Sequence, residues 1–89
     1  MFAKLIERMD KQAARMGRMM ERMHVDAVAL AQSRHGNAYA SAHNTCMACR
    51  NSQTCDRSMA AWQAGRPDAA TPESFCANAR LFADYRERR

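Results

Sequence analysis

The chain has 89 residues, a formal charge of +5, four cysteines and no apolar run long enough to span a bilayer. One small domain with a thin core is what that length permits, and the 47% hydrophobic content overstates the core, because eight residues are Met and most of the rest are Ala. Lys4, Glu7, Arg8 and Asp10 interrupt the first apolar residues, so no export signal is evident and a cytoplasmic protein is expected, in a compartment where disulfides are usually reduced.

Residues 2–23 predict one long amphipathic basic helix. At 100° per residue, Phe2, Ile6, Met9, Ala13, Met16, Met20 and Met23 fall on one face with Leu5 beside them. Lys4, Arg8, Lys11, Arg15, Arg18 and Arg22 form a stripe nearly opposite, while Glu7, Asp10 and Glu21 lie on one flank only. The basic stripe is the candidate partner-binding surface. It suits an acidic protein; nucleic acid is less well supported, because few aromatic side chains interleave with the cations to stack bases. The Met-rich face is a second candidate, as a pairing surface between copies of the chain.

Asp26 is placed to cap a short helix that Gly36 would end, and residues 37–44 allow another turn or two. From Ser52 to Ala64 the spacing predicts a helix with Cys55, Met59 and Trp62 on one face and Gly65 as its stop. Residues 66–72 read as a linker, and Thr71 before Pro72 predicts the start of a last helix over 72–85. No segment alternates like a strand. Residues 1–89 are therefore expected to form a single all-α domain of three to five helices.

The cysteines follow the pattern C-x2-C-x5-C-x20-C: Cys46, Cys49, Cys55 and Cys76. Four soft thiolates satisfy the iron corners of a [4Fe-4S] cluster or a tetrahedral Zn2+. Disulfides and free buried thiols are the alternatives. The wide arc of the triplet places the cluster ahead of zinc, and residues 46–76 then become a staple that ties the last helix to the middle of the chain. On this reading Trp62 and Phe75 shield the cofactor from water. The function expected is a small iron–sulfur protein in electron transfer or redox sensing, with a zinc-stapled interaction or regulatory module, docking through the basic helix, as the alternative. No catalytic residues are identified: His24, His35 and His43 lack triad or ligand spacing, although His43 lies three residues before Cys46, and no phosphate loop or nucleophile elbow is present. A non-enzymatic protein is expected.

The CMAC pair, Cys55 seven residues before Trp62, and the segment SFCAN resemble a family of small uncharacterised alphaproteobacterial proteins with four cysteines. In that family the last segment commonly reads Phe-Cys-Pro-Asn, where this chain has Ala77. The resemblance implies that the four cysteines act as a unit and implies no activity.

Overall fold

The computed structural model describes residues 2–87, and all of its regular secondary structure is helical. Among the described residues five α-helices occur in chain order: α1 (Phe2–Arg22), α2 (Ala27–Gln32), α3 (Asn37–Met47), α4 (Ser52–Gln63) and α5 (Ala79–Asp84). Short 3-10 turns cover Ser33–Gly36 and Pro72–Ser74. Among the described residues there is no sheet, and one isolated antiparallel bridge joins Val25 to Arg86.

The end of α1 sets the direction in which the chain enters α2. His24 adopts a left-handed conformation (φ 56°), its N–H donates to the Glu21 carbonyl at 3.1 Å, and the Val25 N–H donates to the Met20 carbonyl at 2.9 Å. These two bonds make a Schellman cap with His24 where glycine is usual, and the buried Met20 and Val25 supply the accompanying apolar pair. Asp26 then caps α2 as its sequence position predicts, accepting from the Ala29 N–H at 3.0 Å. Three successive left-handed residues, Arg34, His35 and Gly36, reverse the chain into α3. At the far end of α4, Gly65 (φ 69°) closes a second Schellman cap, with bonds from Gly65 N–H to the Trp62 carbonyl and from Arg66 N–H to the Ala61 carbonyl.

The core consists of Met16, Met19, Met20, Met23, Val25, Leu30, Ala38, Ala42, Met59, Ala79 and Phe82. Phe82, Met23 and Leu30 are the largest side chains that are fully enclosed. The chain's last described segment lies across the α1–α2 corner: Asp26 N–H donates to the Tyr85 carbonyl and Glu87 N–H to the His24 carbonyl, both at 2.7 Å, and the Tyr85 and Ser33 hydroxyls are hydrogen-bonded.

Three expectations from the sequence change here. The segment before the cysteines is a full helix of 11 residues, α3, and not a turn or two. Asn37, Ser41, Asn44 and Thr45 have weak intrinsic helix preference, and the burial of Ala38 and Ala42 against neighbouring helices overrides it. The helix expected over 72–85 is broken into a 3-10 turn and α5. Asn78 is turned inward, where its Nδ2 donates to the Ala42 carbonyl at 2.9 Å, and the chain from Phe75 to Asn78 bends to place it. The four-cysteine staple is also overturned: all four cysteines are free, and among the described residues no group of three or more His, Cys, Asp or Glu is placed to hold a metal ion. The fold is closed by side-chain packing and polar ties.

Candidate functional site

Two regions concentrate the residues singled out in the sequence. The first is a small apolar cavity of about 30 Å3 bordered by α1, α3, α4 and the turn before α5. Cys46 comes to it from the last turn of α3, Cys49 from the following loop, Cys55 from the first turn of α4, and Cys76 from the bend before α5. All four are half-buried, and they border the cavity without converging on a shared point that a metal could occupy. Their thiols engage the protein instead. Cys46 Sγ donates to the Gln12 carbonyl at 3.7 Å, and Cys49 Sγ accepts from the Asn51 N–H at 3.4 Å.

Burial has a chemical consequence for these sulfurs. Desolvation, reinforced by the neighbouring cysteines, raises Cys46, and the same causes together with Asp56 push Cys55 up to about 11. Desolvation also raises Cys76, partly offset by backbone N–H groups of Asn78 and Ala79. Burial thus favours the neutral thiol at all three positions. Because no group of three or more His, Cys, Asp or Glu among the described residues is placed to hold a metal ion, the expected [4Fe-4S] cluster and the Zn2+ alternative are both overturned. With them fall the electron-transfer and cluster-based sensing functions, the zinc-stapled module, and the metal-ligand role of Cys46, Cys49, Cys55 and Cys76.

Trp62 and Phe75 stack with ring centroids 6.1 Å apart, but only Phe75 borders the cavity. Trp62 Nε1 donates to the Ala70 carbonyl at 2.8 Å, which fastens the 66–71 loop to α4, and the Arg22 guanidinium lies over its ring at 4.8 Å. The shielding role assigned to Trp62 is replaced by an anchoring one. His43 is half-buried on α3 and does not border the cavity.

Several polar residues that the sequence did not single out organise this region. Gln12 Nε2 donates to the Cys46 carbonyl at 2.6 Å, while its Oε1 accepts from Ser52 Oγ at 3.0 Å and from Arg15. Asn51 Nδ2 donates to the Phe75 carbonyl at 2.9 Å. Gln12 sits at the edge of the apolar stripe of α1, where a polar residue with both donor and acceptor capacity can reach two neighbouring helices at once.

The second region is the outer surface of α1. Every residue from Phe2 to Lys11 is exposed, and burial of the helix begins with Gln12 and Arg15. The expected apolar face therefore divides: Met16, Met20 and Met23 enter the core, whereas Phe2, Leu5, Ile6 and Met9 remain 79, 50, 56 and 47% exposed. The basic stripe is divided as well. Arg15 makes two parallel bonds to Asp56 on α4, at 2.8 and 2.9 Å, which raise the guanidinium and lower the carboxyl from their ordinary values. Arg22 covers Trp62, and Lys11 lies 3.6 Å from Glu7. Lys4, Arg8 and Lys11 flank the exposed apolar residues, and Arg18 lies farther along the helix.

No helix among the described residues is long and apolar enough to cross a membrane. No curated protein and no solved structure matches the chain. A family model described as a family of unknown function, DUF6455, matches residues 3–88, and the chain belongs to that family.

Proposed function

We propose that this protein is a non-enzymatic docking module, which binds an acidic protein through the exposed N-terminal half of α1. The observation that carries this reading is the row Phe2, Leu5, Ile6 and Met9, four large apolar side chains on successive turns of a helix that has left the core behind. A contiguous apolar patch of a few hundred Å2, rimmed by polar groups, is the kind of surface through which monomers engage partners. Helix-in-groove recognition uses anchors at this i, i+3, i+4, i+7 spacing. Lys4, Arg8 and Lys11 beside the row favour a groove with acidic edges, and the +5 charge of the chain favours such a partner over a second copy of itself.

Affinity capture with wild-type and Ile6→Glu baits, followed by titration of the captured partner, tests the reading. Ile6 is exposed in the free protein, so Ile6→Glu should melt with the wild type. Loss of one apolar anchor worth about 1.5–3 kcal/mol should weaken binding roughly 10- to 100-fold, and Arg8→Glu should weaken it with a smaller, salt-dependent effect. Equal capture by wild type and Ile6→Glu overturns the reading. Concentration-dependent dimerisation abolished by Ile6→Glu would assign the row to a second copy instead, and duplex or single-strand binding unaffected by Ile6→Glu would assign the surface to nucleic acid.

A further inference from the structure

We propose that Cys49 and Cys46 form a reversible thiol–disulfide site whose oxidant is an anionic low-molecular-weight disulfide of the glutathione disulfide class. Cys49 occupies a position the other cysteines do not. It borders the inner cavity and also an outer groove lined by Arg8, Lys11, Gln12, Arg15, Met47 and Ser52. Three of those residues are cations and none is a carboxylate, although Lys11 also reaches Glu7 and Arg15 is held by Asp56. A small disulfide bearing carboxylates would find complementary charge there, directly beside the half-buried Cys49.

The resolving thiol lies one turn away along the backbone, and a change of side-chain rotamer from its bond to Gln12 would bring it to Cys49. Cys49 N–H donates to the Cys46 carbonyl at 3.1 Å, closing a one-turn loop at the end of α3. Residues i and i+3 of such a turn have Cα atoms less than about 7 Å apart, a separation compatible with the range of roughly 4.4–6.8 Å that disulfides bridge. Cys46 lies on the inner side of the turn, where its Sγ–H points to the Gln12 carbonyl. Cys55 and Cys76 border the inner cavity but do not line the outer groove, so a bulky disulfide has its approach to Cys49.

The exchange balances without a metal. Deprotonated Cys49 Sγ attacks one sulfur of the small disulfide; that S–S bond breaks, a mixed disulfide forms on Cys49, and the first small thiolate leaves and takes a proton from solvent. Cys46, having released its proton, attacks Cys49 Sγ, forming the Cys46–Cys49 bond and expelling the second small thiolate, which is protonated in turn. The protein dithiol loses two electrons and two protons, and the small disulfide gains both. Excess small thiol reverses the sequence.

The experiment exposes the full-length reduced protein to glutathione disulfide, quenches with acid, and reads intact mass and cysteine-containing peptides. Wild type should lose two hydrogens and yield a peptide closed between residues 46 and 49. Cys46→Ser should accumulate the mixed disulfide on Cys49, and Cys49→Ser should suppress both products. An Arg8→Gln/Lys11→Gln variant should react several-fold more slowly with glutathione disulfide yet at an unchanged rate with neutral hydroxyethyl disulfide. Val28→Ala, at an exposed position on α2 outside both the groove and the docking row, should react as wild type. A bond between any other pair in the wild type, first modification at Cys55 or Cys76, or the same response of both disulfides to the charge variant overturns the proposal. Should either cysteine variant fail to fold by circular dichroism, the wild-type peptide map decides between these outcomes.

Discussion

Phe82→Ala is expected to leave the protein largely unfolded at 25 °C. Phe82 is 1% exposed, the largest fully buried side chain of the core, and it packs where α5 meets the Met residues of α1 and borders the thiol cavity. Truncating a buried Phe costs about 3–5 kcal/mol through lost transfer energy and the cavity that remains. Natural domains have only about 0.05–0.15 kcal/mol of stability per residue, so a domain this small has little to spare. A core of Met and Ala also offers few stiff neighbours to hold its shape around a void. Urea titration followed by far-UV circular dichroism should place the Phe82→Ala midpoint near or below zero denaturant, while Phe2→Ala, at a position 79% exposed, should stay within about 0.5 kcal/mol of wild type. A small loss for Phe82→Ala would mean that the hydrophobic centre has been misplaced.

Asn78→Asp should be nearly as damaging at neutral pH, and the damage should recede in acid. Asn78 is 5% exposed and its Nδ2 donates to the Ala42 carbonyl, tying the bend before α5 to the middle of α3. An aspartate there removes the donor and sets a carboxylate oxygen against a carbonyl oxygen in a buried position. An uncompensated buried charge costs about 3–5 kcal/mol. Protonation converts the same group into a donor, so the folded-state pKa of the new Asp lies above its unfolded value near 3.9. A group raised on folding contributes its stability below the unfolded pKa and loses it as pH rises through the folded one. Relative to wild type, Asn78→Asp should therefore melt progressively lower from about pH 4 upward. A difference in melting temperature that is flat with pH would show that Asn78 is not enclosed against Ala42.

The sequence carried the helical class clearly, because the period of α1 and the caps at Asp26 and Gly65 are local signals that tertiary packing reinforced. Periodicity could not say where along α1 the core begins. Phe2, Ile6 and Met9 satisfy the same spacing as Met16, Met20 and Met23, and only the placement of α3 and α4 against the second half of the helix separates them. The extent of α3 was hidden for a different reason: its polar residues argue against a helix, and its two buried alanines carry little weight in a pattern reading. The cysteine spacing suggested a ligand set, but spacing along the chain does not fix the direction of the thiols. In the fold Cys46 is drawn toward Gln12, Cys49 toward Asn51 and the outer groove, and Cys55 and Cys76 sit among apolar neighbours that favour the neutral thiol. Gln12, Asn51 and Asn78 organise the site through bonds to carbonyls distant in sequence, so no short motif announces them.

The central structural claim is that packing around Met23, Leu30 and Phe82 holds the fold, with the four cysteines as free thiols that do not contribute to its closure. Thermal unfolding of freshly purified protein, kept under reductant and followed by Trp62 fluorescence with and without a strong chelator, tests it most directly. The two melting curves should superimpose, at the same midpoint and with the same cooperativity. A midpoint that falls sharply on chelation, with release of stoichiometric metal, would contradict the account, since binding energy from a metal would then be part of the folding energy.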